Sequence, residues 1–558
     1  MRTRPPRLVA LLAASALLFA GAAALSACGS GSSGGGITPS DKGTPSPGGT
    51  FVFPLPGEPV SIEPLDAQDS SGLQVAHQVF QGLTRWVRNG DGVLTTQPDI
   101  AESWESKDAQ TWIFHLKKGV TFQAPVSRPV TAQDFVDSWT RVTDPANLSY
   151  VAYILAPIEG CDDRGYQTDP AQGLTGVKAI DASTLQVTLR YPLADFPAIV
   201  GHPVAAVTPV DYIDKVGAKA YARRPVGTGP FMVKSWRRGR DLTLVKNPTF
   251  WDTDHAAWVD EVDLPIYDDV ATMWAAFQRG KLDCSQAPTD QVAAITAGSE
   301  VANGTWTAGS WPAAALYFVG MNMTDPTLGP SLDLRKAVSQ SADAQTVVDD
   351  VSQGVAQVAG GYVPTGIPGF KAGQNPYSYD VKAATALVTA SSPAPVPTLN
   401  YWYDTGEDHR QIADTLVAGW GQAGLTVNAT DYEWGTFLDK LSRGNKGSGS
   451  QLFRVAWIAD YPAMDAFLYP LFESDQSPTG SYTFYSNKGV DDVLQKARAT
   501  VDAQQRYNLY AQAEKLILAD MPADPLYYYR YFRVASGKVH GFTVDPMGTT
   551  DMRAVWLQ

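Results

Sequence analysis

Arg454 and Asp460 sit in one apolar run, Leu452-Phe453-Arg454-Val455-Ala456-Trp457-Ile458-Ala459-Asp460-Tyr461-Pro462. The run is rich in aromatic and β-branched residues and is stopped by proline, which predicts a β-strand. A carboxylate at the end of such a run is costly to bury unless a cation meets it. Period-2 geometry turns 454, 456, 458 and 460 to one face, with the two charged residues roughly 20 Å apart in a fully extended strand. The long arginine side chain closes much of that gap. A ligand with an ammonium at one end and a carboxylate at the other matches this polarity, and a short peptide is such a ligand. The same residues also fit a plainer arrangement, with Asp460 held by turn amides and Arg454 in a structural ion pair.

Strands and helices that could position these groups alternate along the chain, so the class is α/β. Strands are expected at Gly49–Phe53, Thr111–Lys117, Gly176–Asp181 with Thr184–Leu189, Leu242–Val245, Leu316–Asn322 and Pro525–Tyr529. Apolar spacing predicts helices over Leu73–Leu83, Ala271–Arg279, Leu332–Ser341, Val381–Thr389, His409–Ala423 and Asp491–Ala519. Thr131 followed by Asp134 reads as the capped start of another. Gly227-Thr228-Gly229-Pro230-Phe231 is a turn entering a strand; it is no phosphate loop, because no Lys-Ser/Thr follows the glycines.

At 558 residues the chain has room for two to four domains. A net charge of −14 argues against nucleic-acid binding, which needs a basic footprint. The 15 Trp and 24 Tyr supply rings for cores and for ligand clefts alike. The six His are dispersed, H-E-x-x-H is absent and no Cys/His cluster exists, so neither a metal nor another cofactor is expected. Cys161 and Cys284 are left to pair or stay free.

Arg2, Arg4 and Arg7, the apolar stretch Leu8–Ala24 and Leu25-Ser26-Ala27-Cys28 make an export signal. The cysteine directly after small residues looks like a bacterial lipobox. In that pattern Cys28 carries diacylglycerol and becomes the mature N-terminus, with residues 1–27 removed. Residues 28–48 are Gly, Ser, Thr and Pro with almost no hydrophobic residue, and read as a flexible tether. Gly31-Ser32-Ser33-Gly34-Gly35 formally matches a hydrolase elbow, but neither the strand nor the helix that motif needs flanks it. The leader and tether place a domain just off the outer face of the cytoplasmic membrane, held by the lipid on Cys28.

From about Gly49 to the C-terminus the chain resembles the family-5 extracellular solute-binding proteins, the peptide and oligopeptide receptors of bacterial ABC importers. The residues that carry the resemblance are Phe80-Gln81-Gly82-Leu83-Thr84, Ala101-Glu102-Ser103-Trp104, Trp112-Ile113-Phe114-His115-Leu116, Val130–Phe135, Gly227–Phe231, Asn247-Pro248-Thr249-Phe250-Trp251 and Ala459-Asp460-Tyr461-Pro462. The resemblance implies a two-lobed periplasmic-binding-protein type II clamshell with an extra domain inserted in the first lobe. Lobe one is expected at 49–88, 218–312 and 531–558, the inserted domain at 89–217 and lobe two at 313–530.

The oligopeptide-binding branch is the most similar. There the Asp at the position of Asp460 pairs with the peptide ammonium, and the Arg at 454 contacts the peptide carboxylate in some complexes. Trp457 and Trp434 match tryptophans that line side-chain pockets, and His409 matches a histidine available to the carboxylate of longer peptides. Two departures stand out: Ile458 replaces a cysteine that forms a disulfide in some members, and Met464-Asp465 breaks the usual polar run after Tyr461-Pro462.

The expected function is therefore capture of short peptides in an interlobe cleft by a lipid-anchored monomer with no catalysis of its own. A separate permease and ATPase would do the transport. Three alternatives remain at this level: the same fold binding a non-peptide solute, a receptor feeding a sensor pathway, and a lipid-anchored hydrolase. The last has no paired acid for Asp460 in its support.

Overall fold

Two strands, Trp306–Met321 and Ala523–Ser536, run through a computed structural model that describes residues 43–391, 394–443 and 450–558. The leader, Cys28 and nearly all of the tether lie outside the described residues. The two strands pair antiparallel along their length, with the register shifting between Pro312 and Leu316. Proline cannot donate to a ladder, so an irregularity at Pro312 is expected. The core partners also change there. Trp311 packs with Phe51, Phe542 and Val544, whereas Ala314 and Leu316 pack with Phe453, Phe467 and Tyr528. One pair of strands thus packs into different hydrophobic cores on the two sides of the irregular residues.

On the Trp311 side, a four-stranded sheet runs in the order Thr50–Val52, Glu261–Pro265, Asp241–Lys246, Phe231–Arg237. Its first pair is parallel and the others antiparallel. On the Leu316 side, the long strands continue into Leu452–Ile458, Leu399–Asp404 and Val427–Tyr432. These three run parallel to one another, and the first is antiparallel to Trp306–Met321.

Another core fills the segment between. It is built on a second four-stranded antiparallel sheet, Ala101–Glu105, Thr111–Leu116, Thr184–Thr188 and Val177–Asp181, with helix Ala132–Thr143 across it. The helix starts as its sequence predicts. The Asp134 carboxylate accepts from the Thr131 amide at 2.8 Å and from its hydroxyl at 2.9 Å. Phe135 and Trp139 are buried from its inner face. This is the two-lobed, type II clamshell arrangement of mixed α/β class.

Several elements differ from the sequence reading. The strand expected at Leu316 begins ten residues earlier, at Trp306, because pairing with Ala523–Ser536 on both sides of Ala313–Ala315 holds Gly309 and Pro312 extended. The helix expected over Asp491–Ala519 is two, Lys488–Arg498 and Ala503–Asp520. Asp502 caps the second by accepting from the Gln505 amide at 2.8 Å. Helix Ser70–Val79 stops four residues short of Leu83, since Phe80 is already extended. Cys161 and Cys284 are buried in different cores and unpaired. Among the described residues no helix is long and apolar enough to cross a membrane.

Candidate functional site

The strand Leu452–Ile458 carries the candidate residues on its two faces. Phe453, Val455 and Trp457 face one core, while Leu452, Arg454 and Ala456 face the other. Its carboxyl end and that of the parallel neighbour Leu399–Asp404 lie together. In open α/β sheets ligands bind in the crevice outside such ends.

Asp460 lies two residues past the end of the strand, so the period-2 rule that would put it on the face of Arg454 does not reach it. The chain is held there by a hydrogen bond from the Ala459 amide to the Ala314 carbonyl at 3.0 Å. Asp460 therefore sits beside the residues at which the two long strands change cores. It is partly buried, and its Oδ1 accepts a hydrogen bond from the Tyr153 phenol at 3.0 Å. Burial pushes its carboxyl up to about 6, with the Tyr153 bond pulling the other way. Among the described residues no cation pairs with it. The turn amides considered for Asp460 are not its partners; a phenol from the far segment is.

Arg454 meets Asp404, not Asp460. Register places Tyr401 opposite Leu452 and Trp402 opposite Phe453, so Asp404, the last residue of its strand, falls one position past the arginine. Arg454 Nη1 is 3.0 Å from Asp404 Oδ1. On the other flank Val319 is the partner of Arg454 and Tyr317 the partner of Ala456, so Tyr317 lies diagonal to Arg454 on one face. The guanidinium stands 5.1 Å from the Tyr317 ring centroid. Burial works against its charge, but the Asp404 carboxylate and the surrounding tyrosines more than restore it.

His409 opens the first turn of helix Glu407–Gln422 and brings Nδ1 to 3.4 Å from the same Asp404 oxygen. Burial first, and Arg454 next, lower its pKa to about 4. The imidazole is thus neutral at pH 7, and the approach is a polar contact without an ion pair. Arg454 Nε, Asp404 Oδ1, His409 Nδ1 and the hydroxyls of Tyr317 and Tyr401 are all buried without an aligned hydrogen-bond partner. A buried polar cluster normally satisfies such atoms.

Trp457 and Trp434 are brought together. They line one small cavity with Phe437, Leu441, Val455 and Tyr482. The Trp457 indole donates to the Ala466 carbonyl at 2.7 Å, which fixes its plane. Trp434, the first residue of helix Trp434–Ser442, is 41% exposed at the mouth.

Of the five candidates, Arg454 is met by His409 through Asp404 and also lines the cavity of Trp434 and Trp457, while Asp460 stands apart with Tyr153. Sequence reasoning missed Asp404, Tyr317 and Tyr153. Asp404 ends an aromatic run, Leu399-Asn400-Tyr401-Trp402-Tyr403-Asp404, with the same signature that singled out Asp460. That signal could have found it. Nothing local marks Tyr153.

The description "Bacterial extracellular solute-binding proteins, family 5 Middle" matches residues 95–479. The periplasmic oligopeptide-binding protein OppA of Escherichia coli (strain K12) is 28% identical over 520 residues, covering 91% of this chain and 92% of its own. The oligopeptide-binding protein OppA of Bacillus subtilis (strain 168) is 28% identical over 558 residues, covering 96% and 97%. The unliganded open form of MppA, a periplasmic murein tripeptide-binding protein, superposes with a TM-score of 0.79 at 25% identity, over 91% of this chain and 97% of that one. With the family matching more than half of its length and these relatives matching end to end, the chain belongs to the bacterial extracellular solute-binding proteins, family 5.

Proposed function

We propose that this protein captures short peptides between its lobes and hands them to an ABC importer, with Asp460 as the anchor for the peptide ammonium. The observation that carries this reading is Asp460 itself. It is a partly buried carboxylate beside the strand crossover, hydrogen-bonded on one oxygen and without a cation among the described residues. An ammonium supplies the missing charge as a charge-assisted pair in a low-dielectric site. The two OppA relatives, both oligopeptide-binding proteins, support peptides over other amines.

In this reading Trp434 and Trp457 accept ligand side chains, and Arg454 and His409 stand toward the other end of the ligand. Main-chain hydrogen bonds hold any peptide, and lobe closure is driven by contacts available only when closed. We assign lobe one to 49–88, 218–312 and 531–558, the inserted domain to 89–217, and lobe two to 313–530. The first edge falls in the turn of the hairpin Thr84–Arg88/Leu94–Pro98. Cys28 carries the lipid that keeps the monomer on the outer face of the cytoplasmic membrane. Catalysis is left to the ATPase of the transporter.

A thermal-shift assay on the chain from residue 29 onward tests the anchor. Pooled tri- to pentapeptides are compared with the same pool N-acetylated. A ligand at a hundred times its dissociation constant stabilises by about 2.7 kcal/mol. A shift with free amines alone is expected. Equal shifts with both pools remove Asp460 as an ammonium anchor, and no shift with either removes the peptide reading. Growth of a deletion strain on peptides as sole nitrogen source separates import from sensing.

A further inference from the structure

We infer that Asp404 neutralises Arg454 from within the protein, so that the cleft reads the amino end of its peptide and is indifferent to whether the carboxyl end is charged. The inference rests on the peptide reading above and specifies it.

The geometry is unusual for a carboxylate-binding arginine. Its Nη1 is 3.0 Å from a carboxylate that belongs to the chain. The side chains of Arg454 and Asp404 are only 10% and 14% exposed, so solvent screens their attraction weakly. The third polar member, His409, is 13% exposed and neutral at pH 7. The cluster therefore presents one cation, one anion and an uncharged imidazole. A ligand carboxylate that approached Arg454 would gain its attraction and meet repulsion from Asp404 at nearly the same distance. An amide would meet neither.

The hydrogen-bond pattern says what this end of the cleft can still do. Arg454 Nε, His409 Nδ1 and the Tyr317 hydroxyl lack aligned partners. The imidazole and the phenol are uncharged, and the guanidinium to which Nε belongs is already met by Asp404. Asp460, by contrast, has no internal counter-charge among the described residues. Charge discrimination is thus concentrated at one end, and ligands of several lengths are accommodated without paying for a mismatched carboxylate.

The experiment measures dissociation constants by calorimetry for matched peptides of three, four and five residues, each as free acid and as C-terminal amide. The purified protein and its Asp404→Asn variant are compared at pH 7.5. For the unaltered protein the acid and amide should bind within about threefold at every length. In Asp404→Asn the guanidinium loses its internal carboxylate, and at least one length should favour the acid over its amide by about tenfold, the scale of one charge-assisted hydrogen bond. A preference beyond threefold in the unaltered protein overturns the inference without the aid of any variant. So does a variant that keeps acid and amide within threefold at all lengths. Failure of both forms to bind the unaltered protein overturns the peptide reading itself, which is a different result from either.

Discussion

The phenol of Tyr153 donates a hydrogen bond to Asp460 Oδ1 at 3.0 Å, joining residues 307 positions apart in the chain. Tyr153 comes from the short turn Ala152–Leu155, packed on the core of the intervening segment. Asp460 follows the strand Leu452–Ile458. The contact therefore ties Asp460 to a second part of the molecule. It also leaves the carboxylate with one oxygen occupied and the other open to a cation.

Replacing Asp460 by Asn separates binding from folding. A buried charge pair that loses one partner costs about 2–5 kcal/mol, so affinity for free-amine peptides should fall by about 30-fold or more. Stability should not follow. The carboxyl is raised to about 6 in the fold, so its ionised form is disfavoured there relative to the unfolded chain. Asp460 withdraws stability as pH rises through about 4 to 6. The Tm of Asp460→Asn at pH 7.5 should match or exceed that of the unaltered protein. The same ionisation governs binding: an ammonium needs the carboxylate, so affinity at pH 5 should be about tenfold weaker than at pH 7.5. Calorimetry at the two pH values checks this, and a variant that keeps the slope would reassign it to another group.

Tyr153→Phe removes the hydrogen bond that favours the ionised form of Asp460. The pH midpoint of binding should move upward. Affinity at pH 6.5 should fall several-fold, while at pH 8.5 it should stay within about twofold, and stability should fall by about 1 kcal/mol. A loss of equal size at both pH values would mean that Tyr153 acts by shape and not through the carboxylate.

A second contact between the same two parts is made by Arg506 and Asp195, both buried, with Nε to Oδ1 at 3.0 Å. Arg506 Nη1 also donates to the carbonyls of Thr500 at 3.0 Å and Val501 at 2.8 Å, across the break between the two C-terminal helices. Arg506→Ala leaves a buried carboxylate and two carbonyls without their donor. Denaturant unfolding should show a loss of about 3–5 kcal/mol. Asp195→Asn keeps an acceptor and should cost about 1–2 kcal/mol. If both variants stay within 1 kcal/mol of the parent, the pair is not holding the two parts together.

What the sequence made legible follows from range. The Arg454–Asp460 run, the Thr131–Asp134 cap and the Trp434 helix are local patterns, and each signals itself within a few residues. The Trp306–Met321 strand was half hidden because Gly309, Pro312 and Ala313–Ala315 have weak strand preference, and pairing of the residues on either side of the alanines with a partner two hundred residues away overrides it. The break at Asp502 was masked by apolar spacing that continues through it. Tyr153 and Asp195 acquire their roles only through contacts made by the fold. Arg454 and Asp460 were legible as charges but not as separate sites, since strand length and the neighbouring register decide which partner each one meets.

The two tryptophans share one cavity but differ in what holds them, which gives opposite outcomes on truncation. Trp457 is fixed in the strand by its indole bond to Ala466 and packs against the core behind it. Trp457→Ala removes that packing and leaves a carbonyl unsatisfied, so it should cost about 3 kcal/mol or more of stability. Trp434 stands at the mouth, 41% exposed, with Phe437 behind it at 6.1 Å between ring centroids. Trp434→Ala should leave stability within about 0.5–1 kcal/mol of the parent. Its cost should fall on ligands instead. A peptide with an aromatic or long aliphatic side chain in this pocket should lose about 1 kcal/mol of binding, while an alanine-only peptide of equal length is hardly affected. Binding of the two peptides by Trp434→Ala, measured beside its Tm, decides the point. An equal loss for both would place Trp434 outside the side-chain pocket.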